Sequence, residues 1–460
     1  MRSTFLFYDI ETTGLNKAFD QVLQFAAIRT DQMLNELERH EFFVQLNADV
    51  IPSPKAMITH HLSLKDIAKG HNEYDAIKKI HAMMNQPGTI SVGYNTLGFD
   101  DEFLRFSFYR NLLSPYTHQF ANGCGRMDIY PMAVMYYLFK NEMLKWPSNF
   151  KLENINALNQ LVSGRAHHAM VDVEATLALA KIFFDDRIMW NHVTGYFNKR
   201  KDEERITALK TGLAIDGIFG ADKNYQSPVL YLGNHLHYKN QSIWLRLDQE
   251  DFSTLTPESR YVVRKKCGEP SFIIPIKPKY VSVEKQKLVD ANLEWLSAHP
   301  AELKAISHYH LHFQYPTYPS VDVEASLYLN GFMTTPEQHF CQQFHAKSVE
   351  DKIPLVEKFQ ASPLKILATR ILGRHFSKNT FFDEYMQKVN PLDEENALID
   401  YRGQKRLTPK AALAEISRMN SEETLTDEQR VLLRELESYL NLSFPRRRES
   451  IHNGFPPARE

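Results

Sequence analysis

Along the first hundred residues, apolar positions either run together or alternate with polar ones in short stretches, the spacing of buried and half-buried strands. Segments 5–10, 22–30 and 41–46 follow one another closely and predict an antiparallel meander, with a further strand at 89–94. The period then changes. Phe103, Leu104, Phe106 and Phe108 repeat at helical spacing, and Ala175, Leu177, Ala178, Leu179 and Ala180 mark a helix whose small residues allow close packing. Strands first, then mixed strands and helices, predict an α/β domain over residues 1–190. Short strands at 229–232 and 242–247, followed by helices, predict a β-rich unit with a helical extension over 195–345. Residues 352–442 read as helical, most clearly at 364–371 and 430–440. The stretch 443–460, with Pro445-Arg446-Arg447-Arg448 and Pro456-Pro457, has no apolar period and is expected to be a disordered tail.

Composition narrows the class without naming a function. A chain of 460 residues, 43% apolar and 24% charged, has enough apolar material for several packed cores, which excludes a disordered scaffold. The 54 Lys and Arg nearly balance 56 Asp and Glu, so a polyanionic ligand would have to be met by a local positive groove. Cys124, Cys267 and Cys341 are odd in number and far apart, which fits free thiols in a reducing compartment and not a disulfide framework. The apolar run at 5–8 is too short for a signal segment, and no stretch approaches membrane-spanning length. A cytoplasmic, membrane-free protein is therefore expected.

Candidate chemistry enters with Asp9-Ile10-Glu11. In a strand, residues i and i+2 share a face, so both carboxylates point the same way and repel unless a cation lies between them. Asn95-Thr96-Leu97-Gly98-Phe99-Asp100-Asp101 places Asp100 at the start of the next helix, where an anion is stabilised. His167-His168-Ala169-Met170-Val171-Asp172 leads into the small-residue helix and puts Asp172 on its first turns. Oxygen ligands of this kind suit hard divalent cations. The alternating His308, His310 and His312 suggest zinc only if extended, and the preceding Leu303, Ala305 and Ile306 favour a helix, where such spacing diverges.

This ordered set resembles the DEDDh exonucleases, a ribonuclease H-like family. The resemblance implies that Asp9, Glu11, Asp100 and Asp172 hold two Mg²⁺, with Mn²⁺ as an alternative, and that His167 takes the proton of the attacking water. His168 is a rival for the base, because its spacing from Asp172 matches the tyrosine of a sister subclass. Further segments, among them 24–31, Gly93-Tyr94-Asn95, Phe99-Asp100-Asp101-Glu102, Arg126-Met127-Asp128, Trp146-Pro147, Phe150-Lys151-Leu152-Glu153 and 327–332, resemble the bacterial exonuclease I family over residues 1–442. That likeness implies a ribonuclease H-like exonuclease domain, an SH3-like β-rich domain and a helical C-terminal domain. It implies a monomeric 3′→5′ exonuclease that degrades single-stranded DNA to 5′-mononucleotides in bacterial DNA repair and recombination. It also implies substrate contacts at Glu11, Arg105, Tyr116, Lys151 and Arg200, and docking of the acidic C-terminal tail of single-stranded DNA-binding protein near Lys140. Lys151 stands where that family usually has Arg, and Lys is a point charge where Arg can fork. The charged stretch 198–205 would be a linker, the lining of a DNA path or a solvated helix face. The alternatives are a DEDDh enzyme that trims RNA or proofreads, and a noncatalytic DNA-binding repair scaffold.

Overall fold

The computed structural model describes residues 3–164, 167–376, 380–422 and 424–445. Strands β1 (Thr4–Thr12), β2 (Val22–Thr30), β3 (Glu36–Phe43), β4 (Thr89–Gly93) and β5 (Gly125–Asp128) form one sheet in the order β3-β2-β1-β4-β5. The first three are antiparallel, while β4 and β5 run parallel to β1. The meander followed by crossovers is thus present, but its third strand begins earlier than the apolar pattern suggests. Residues Glu36–Phe43 form an exposed, mostly polar edge, and Val44 contributes only an isolated bridge to His71. An edge strand with little to bury carries little hydrophobic signal.

The pleat of β1 sorts its side chains between two cores. Leu6, Tyr8 and Ile10 pack with Ile77, Ile80, Phe103 and Phe108 on one side. Phe7 packs on the other with Val173, Leu177 and Ala180. Five helices bear on the site: α1 (Asp100–Arg110), α2 (Ile129–Phe139), α3 (Leu152–Asn159), α4 (Ala169–Asp185) and α5 (Lys199–Thr207). Helix α4 covers the face of β1 that carries Phe7, Asp9 and Glu11, which brings its own first turns over the two acids.

A second sheet is antiparallel, in the order β10 (Phe272–Ile274), β6 (Thr211–Ile215), β7 (Gln226–Asn234), β8 (Gln241–Arg246) and β9 (Val262–Lys266). Its Leu213, Ile215 and Phe272 join the core that contains Ile129 and Tyr136 of α2. Helix α6 (Pro300–His312) contains all three alternating histidines, with His310 buried and the His308 and His312 rings tilted against each other at 3.9 Å. Stretch 198–205 is the start of α5, where Arg200 and Glu204 pair at 3.6 Å on the exposed side. The same helix turns Asp202 inward against the fully buried Lys265, an ion pair its polar composition does not announce.

The C-terminal helices close over the edges of the first domain. Phe19, Tyr74 and Phe106 share a core with Phe344, Leu367 and Ile371, and Leu23 and Met57 share another with Ile416, Leu433 and Leu436. Helix α7 (Pro363–His375) and helix α8 (Asp427–Ser443) lie in these layers. Ser443 still belongs to α8 and Phe444 is buried, because the chain keeps an apolar contact there; the expected tail from 446 onward lies outside the described residues. Among the described residues no helix is long and apolar enough to cross a membrane.

One buried ion cluster ties these layers together. Asp49 meets Arg374 at 2.6 Å and Arg406 at 3.4 Å, and Arg370 and Arg374 hold Asp322 and Glu324 at 2.7 and 2.6 Å. Burial alone would raise the Asp49 carboxyl, but Arg374, Arg406 and Arg370 hold it well below the usual range. Removing one member of such a set leaves its partners charged and desolvated. Asp49→Ala is expected to lower unfolding free energy by about 3–5 kcal/mol. Arg39→Ala, which breaks exposed pairs with Glu36 and Glu174, is expected to cost under about 1 kcal/mol. Urea unfolding of the two purified variants against the parent measures both, and equal losses would show that the buried cluster carries no special weight.

Candidate active site

Three elements converge on one acidic site. β1 presents Asp9 and Glu11 on the same face, paired in register with Ala26 and Gln24 of β2. Asp172 enters from the first turns of α4, and oxygen atoms of Asp9, Glu11 and Asp172 all lie within 4.8 Å of one another. Asp100 is the first residue of α1, and its carboxylate accepts the backbone N–H of Ile10, which fastens it to β1 at the residue between Asp9 and Glu11.

The turn that delivers Asp100 is held from beneath. The buried Asp128 carboxylate accepts the backbone N–H of Asn95 at 2.7 Å, Leu97 at 3.1 Å and Tyr130 at 2.9 Å. Asn95 adopts φ of 62°, and a Cβ at Gly93 would come within 2.1 Å of Thr96, so this tight exit from β4 requires glycine. The next residue, Asp101, turns the opposite way. It is wholly buried, ion-paired with Arg126 at 2.6 Å and Arg105 at 2.7 Å, and hydrogen-bonded to His118 at 2.9 Å. Arg126 reaches onward to Glu269 near β10 at 3.0 Å, which couples α1 to the second sheet.

Electrostatics show how crowded the site is. Burial and then the fields of Asp100, Glu11 and Asp172 push Asp9 well above the usual carboxylate range. Burial, Asp172 and Asp100 do the same to Glu11. Burial raises Asp100 to about 8 against two backbone N–H donors. Asp172 rises to about 6, again chiefly by burial, although the His167 ring and the His167 backbone N–H pull it down. Hard oxygen donors gathered this closely fit divalent cations, which would supply the positive charge that the neighbouring side chains do not.

The two histidines are separated by their surroundings. His167 sits at φ of 61°, half exposed, with Nε2 at 3.2 Å from Glu153 on α3. His168 forms the N-cap of α4, and its Nε2 lies 3.7 Å from Glu41, beyond hydrogen-bond reach. Of the two rings, His167 acts more strongly on Asp172.

The expected substrate contacts disperse. Arg105 is almost buried beside Asp101 and lies 5.9 Å from the Tyr116 ring centre. Lys151 is largely exposed and reaches Glu153 at 3.4 Å, whereas Arg200 projects into solvent from α5. Lys140 pairs with Asp186 at 2.7 Å on a separate shallow surface beside the exposed Ile188. What residue-by-residue reading missed is a cleft of about 770 Å³ running from α1 to the second sheet and the helical layer. Arg105, Lys266 and Arg402 line it together with Tyr238, Tyr328 and Tyr401. The acids lie outside this cleft, but Glu102 and Arg105 on its wall belong to the helix that Asp100 begins. The clustering of tyrosines between 309 and 328 is the one sequence signal that points toward it.

Comparison with known proteins fits this geometry. The Exonuclease family model matches residues 6–180. Exodeoxyribonuclease I of Buchnera aphidicola subsp. Acyrthosiphon pisum is 32% identical over 281 residues, covering 58% of this chain and 67% of that protein. Exodeoxyribonuclease I of Escherichia coli K12 is 29% identical over 378 residues, covering 73% of this chain and 78% of that protein. A zinc-bound complex of the Escherichia coli enzyme with single-stranded DNA superposes with a TM-score of 0.84 at 23% identity, over 96% of this chain and 100% of that one.

The raised acids set a pH dependence. A carboxyl whose folded pKa exceeds its unfolded value stabilises the fold at low pH, and that contribution is lost as pH climbs through the folded pKa. With Asp172 near 6 and Asp100 near 8, the metal-free protein should lose melting temperature between pH 5 and pH 8.5. Added Mn²⁺ should raise the melting temperature more at pH 8 than at pH 5, because cations bind the ionised cluster. Calorimetric scans with chelator or Mn²⁺ measure this. A larger Mn²⁺ effect at pH 5 would contradict the cluster's assignment as a cation site.

Proposed function

This chain belongs to the exodeoxyribonuclease I family, and on that premise we propose that it removes nucleotides from the 3′ end of single-stranded DNA, with Mg²⁺ as the working cation and 5′-mononucleotides as product. The observation that carries this reading is the convergence of Asp9, Glu11, Asp100 and Asp172 beside a cleft lined with arginine, lysine and tyrosine. Asp9, Glu11 and Asp172 would hold one cation, and Asp9 with Asp100 a second. Bound there, the pair would stabilise the attacking and leaving oxygens of an in-line displacement.

The remaining work falls to the protein's own groups. His167 would accept the proton of the attacking water, and the bond from its backbone N–H to the Asp172 carboxylate keeps the base beside the cation ligands. Arg105, Lys266 and Arg402 would meet backbone phosphates, while Tyr238, Tyr328 and Tyr401 offer faces on which unpaired bases stack. Stacking of this kind tolerates any sequence, as an enzyme that must consume a whole strand requires. Lys151 and Arg200 are exposed enough to add phosphate contacts, and Tyr116, 5.9 Å from Arg105, lines a separate neighbouring pocket from which it would stack a base.

The reading extends to its setting. Monomeric action in bacterial DNA repair and recombination, within the cytoplasm, fits the family and the three free thiols. Docking of the single-stranded DNA-binding protein's acidic tail on the Lys140 and Ile188 surface would require the Lys140–Asp186 pair to open or share its charge.

Two measurements test the proposal. With end-labelled oligonucleotides and Mg²⁺, DNA labelled at its 5′ end should shorten progressively, chelator should stop the reaction, and duplex DNA should resist; loss of the 5′ label as a mononucleotide before shortening would reverse the polarity. His167→Ala should lower turnover by about 10²–10⁴-fold, the usual contribution of a general base. His168→Ala should cost far less, and the opposite order would transfer the role to His168.

A separate expectation concerns the cleft. Replacing Tyr328 and Tyr401 together with Ala should shorten the run length on long single strands, measured under excess unlabelled trap DNA, while turnover of short oligonucleotides changes less. Unchanged run length would remove the cleft from the strand's path.

A further inference from the structure

We propose that Glu153 is the positioning residue that aims the His167 imidazole, an inference that rests on the reading of His167 as the base. The need for one is visible in the backbone. His167 lies at the left-handed φ of 61°, and its side chain is half exposed, so packing alone does not fix the ring. Glu153 can. It occupies the first turn of α3, a helix anchored by the fully buried Ile155, and its Oε2 lies 3.2 Å from His167 Nε2.

The same carboxylate is itself held. Lys151 Nζ approaches the other oxygen, Oε1, at 3.4 Å, giving a chain from Lys151 through Glu153 to His167. A carboxylate beside Nε2 favours the proton on that nitrogen and leaves Nδ1 as the ring atom able to accept another. This is the arrangement of a base oriented by a third group. It also gives Lys151 a role beyond a phosphate contact, since a flexible point charge can steady a carboxylate without needing the planar fork of Arg.

Two competing roles for Glu153 fit the geometry less well. Its Oε2 and Oε1 are already engaged by His167 at 3.2 Å and Lys151 at 3.4 Å, which argues against a further cation ligand. His168 has a carboxylate neighbour too, but Glu41 stands 3.7 Å away, too far to orient its ring.

The test uses the full chain with short labelled oligonucleotides and Mg²⁺, on variants shown by circular dichroism to be folded. Glu153→Ala should lower kcat by about 10- to 100-fold, the cost of a misplaced reacting group, with KM and the Mg²⁺ concentration for half-activity unchanged. Glu153→Gln, which can still accept from Nε2–H, should recover part of that loss. Combining Glu153→Ala with His167→Ala should be no worse than His167→Ala alone, since the first acts only through the second. Oligonucleotide affinity of the metal-free protein in chelator should match the parent.

Four results would overturn the inference. Parent-like kcat in Glu153→Ala alongside a crippled His167→Ala would leave the base reading standing and remove Glu153 from it. An increased Mg²⁺ requirement would show that Glu153 acts on the cation site itself, as a ligand or through its field on Asp172, and fully multiplicative losses in the double variant would give it a role independent of His167. Parent-like activity in His167→Ala would remove the base reading itself and the inference with it.

Discussion

Mutual repulsion among Asp9, Glu11, Asp100 and Asp172 is the constraint around which this protein is built. Like charges brought together in a buried site disfavour ionisation, and here each of the four is raised by burial, with neighbouring acids adding to the effect. Such a cluster destabilises a fold unless something rigid holds it. The scaffold meets that demand with the central strand of a sheet, the N-terminus of one helix and the first turns of another, the strand sharing one core with each helix. Elements of this stiffness allow four acids to be presented to a cation instead of spreading into solvent.

The supports around the site are themselves polar and buried, and each works by satisfying its own charge. Asp128 fastens the β4–α1 turn through the Asn95 and Leu97 N–H groups while capping α2 at Tyr130, and Asp101 gathers Arg105, Arg126 and His118. Through Arg126 and Glu269 this second hub joins the second sheet, and the Asp49 cluster joins the C-terminal helices. The cleft between these layers is therefore walled by elements tied to the domain that carries the acids, which puts cleft and acidic cluster on one frame. Adjacent aspartates divide the labour: Asp100 joins the acidic cluster and Asp101 binds the scaffold.

Much of this was legible in the chain itself, and for physical reasons. Alternation in β1 and the step from period two to helical spacing identified the strands, and i, i+2 geometry placed Asp9 and Glu11 on one face, where the structure has them. Asp100 and Asp172 were placed at helix starts by the sequence around them, as observed. β3 was read too late because an exposed edge buries little. The inward turn of Asp202 toward Lys265 was invisible because a long-range ion pair leaves no periodic trace. The tyrosine cleft and the Glu153–His167 contact were likewise unreadable, since both depend on how separate segments meet in space. Family likeness supplied candidates such as Arg105, but not the ion pair that its guanidinium also makes with Asp101.

The central claim is that these carboxylates exist to hold cations in one place. Anomalous diffraction from crystals soaked in Mn²⁺ with a short single-stranded oligonucleotide tests it most directly. The account predicts a peak among Asp9, Glu11 and Asp172 and a second shared by Asp9 and Asp100. No peak among those four acids, with manganese bound elsewhere on the protein, would contradict it.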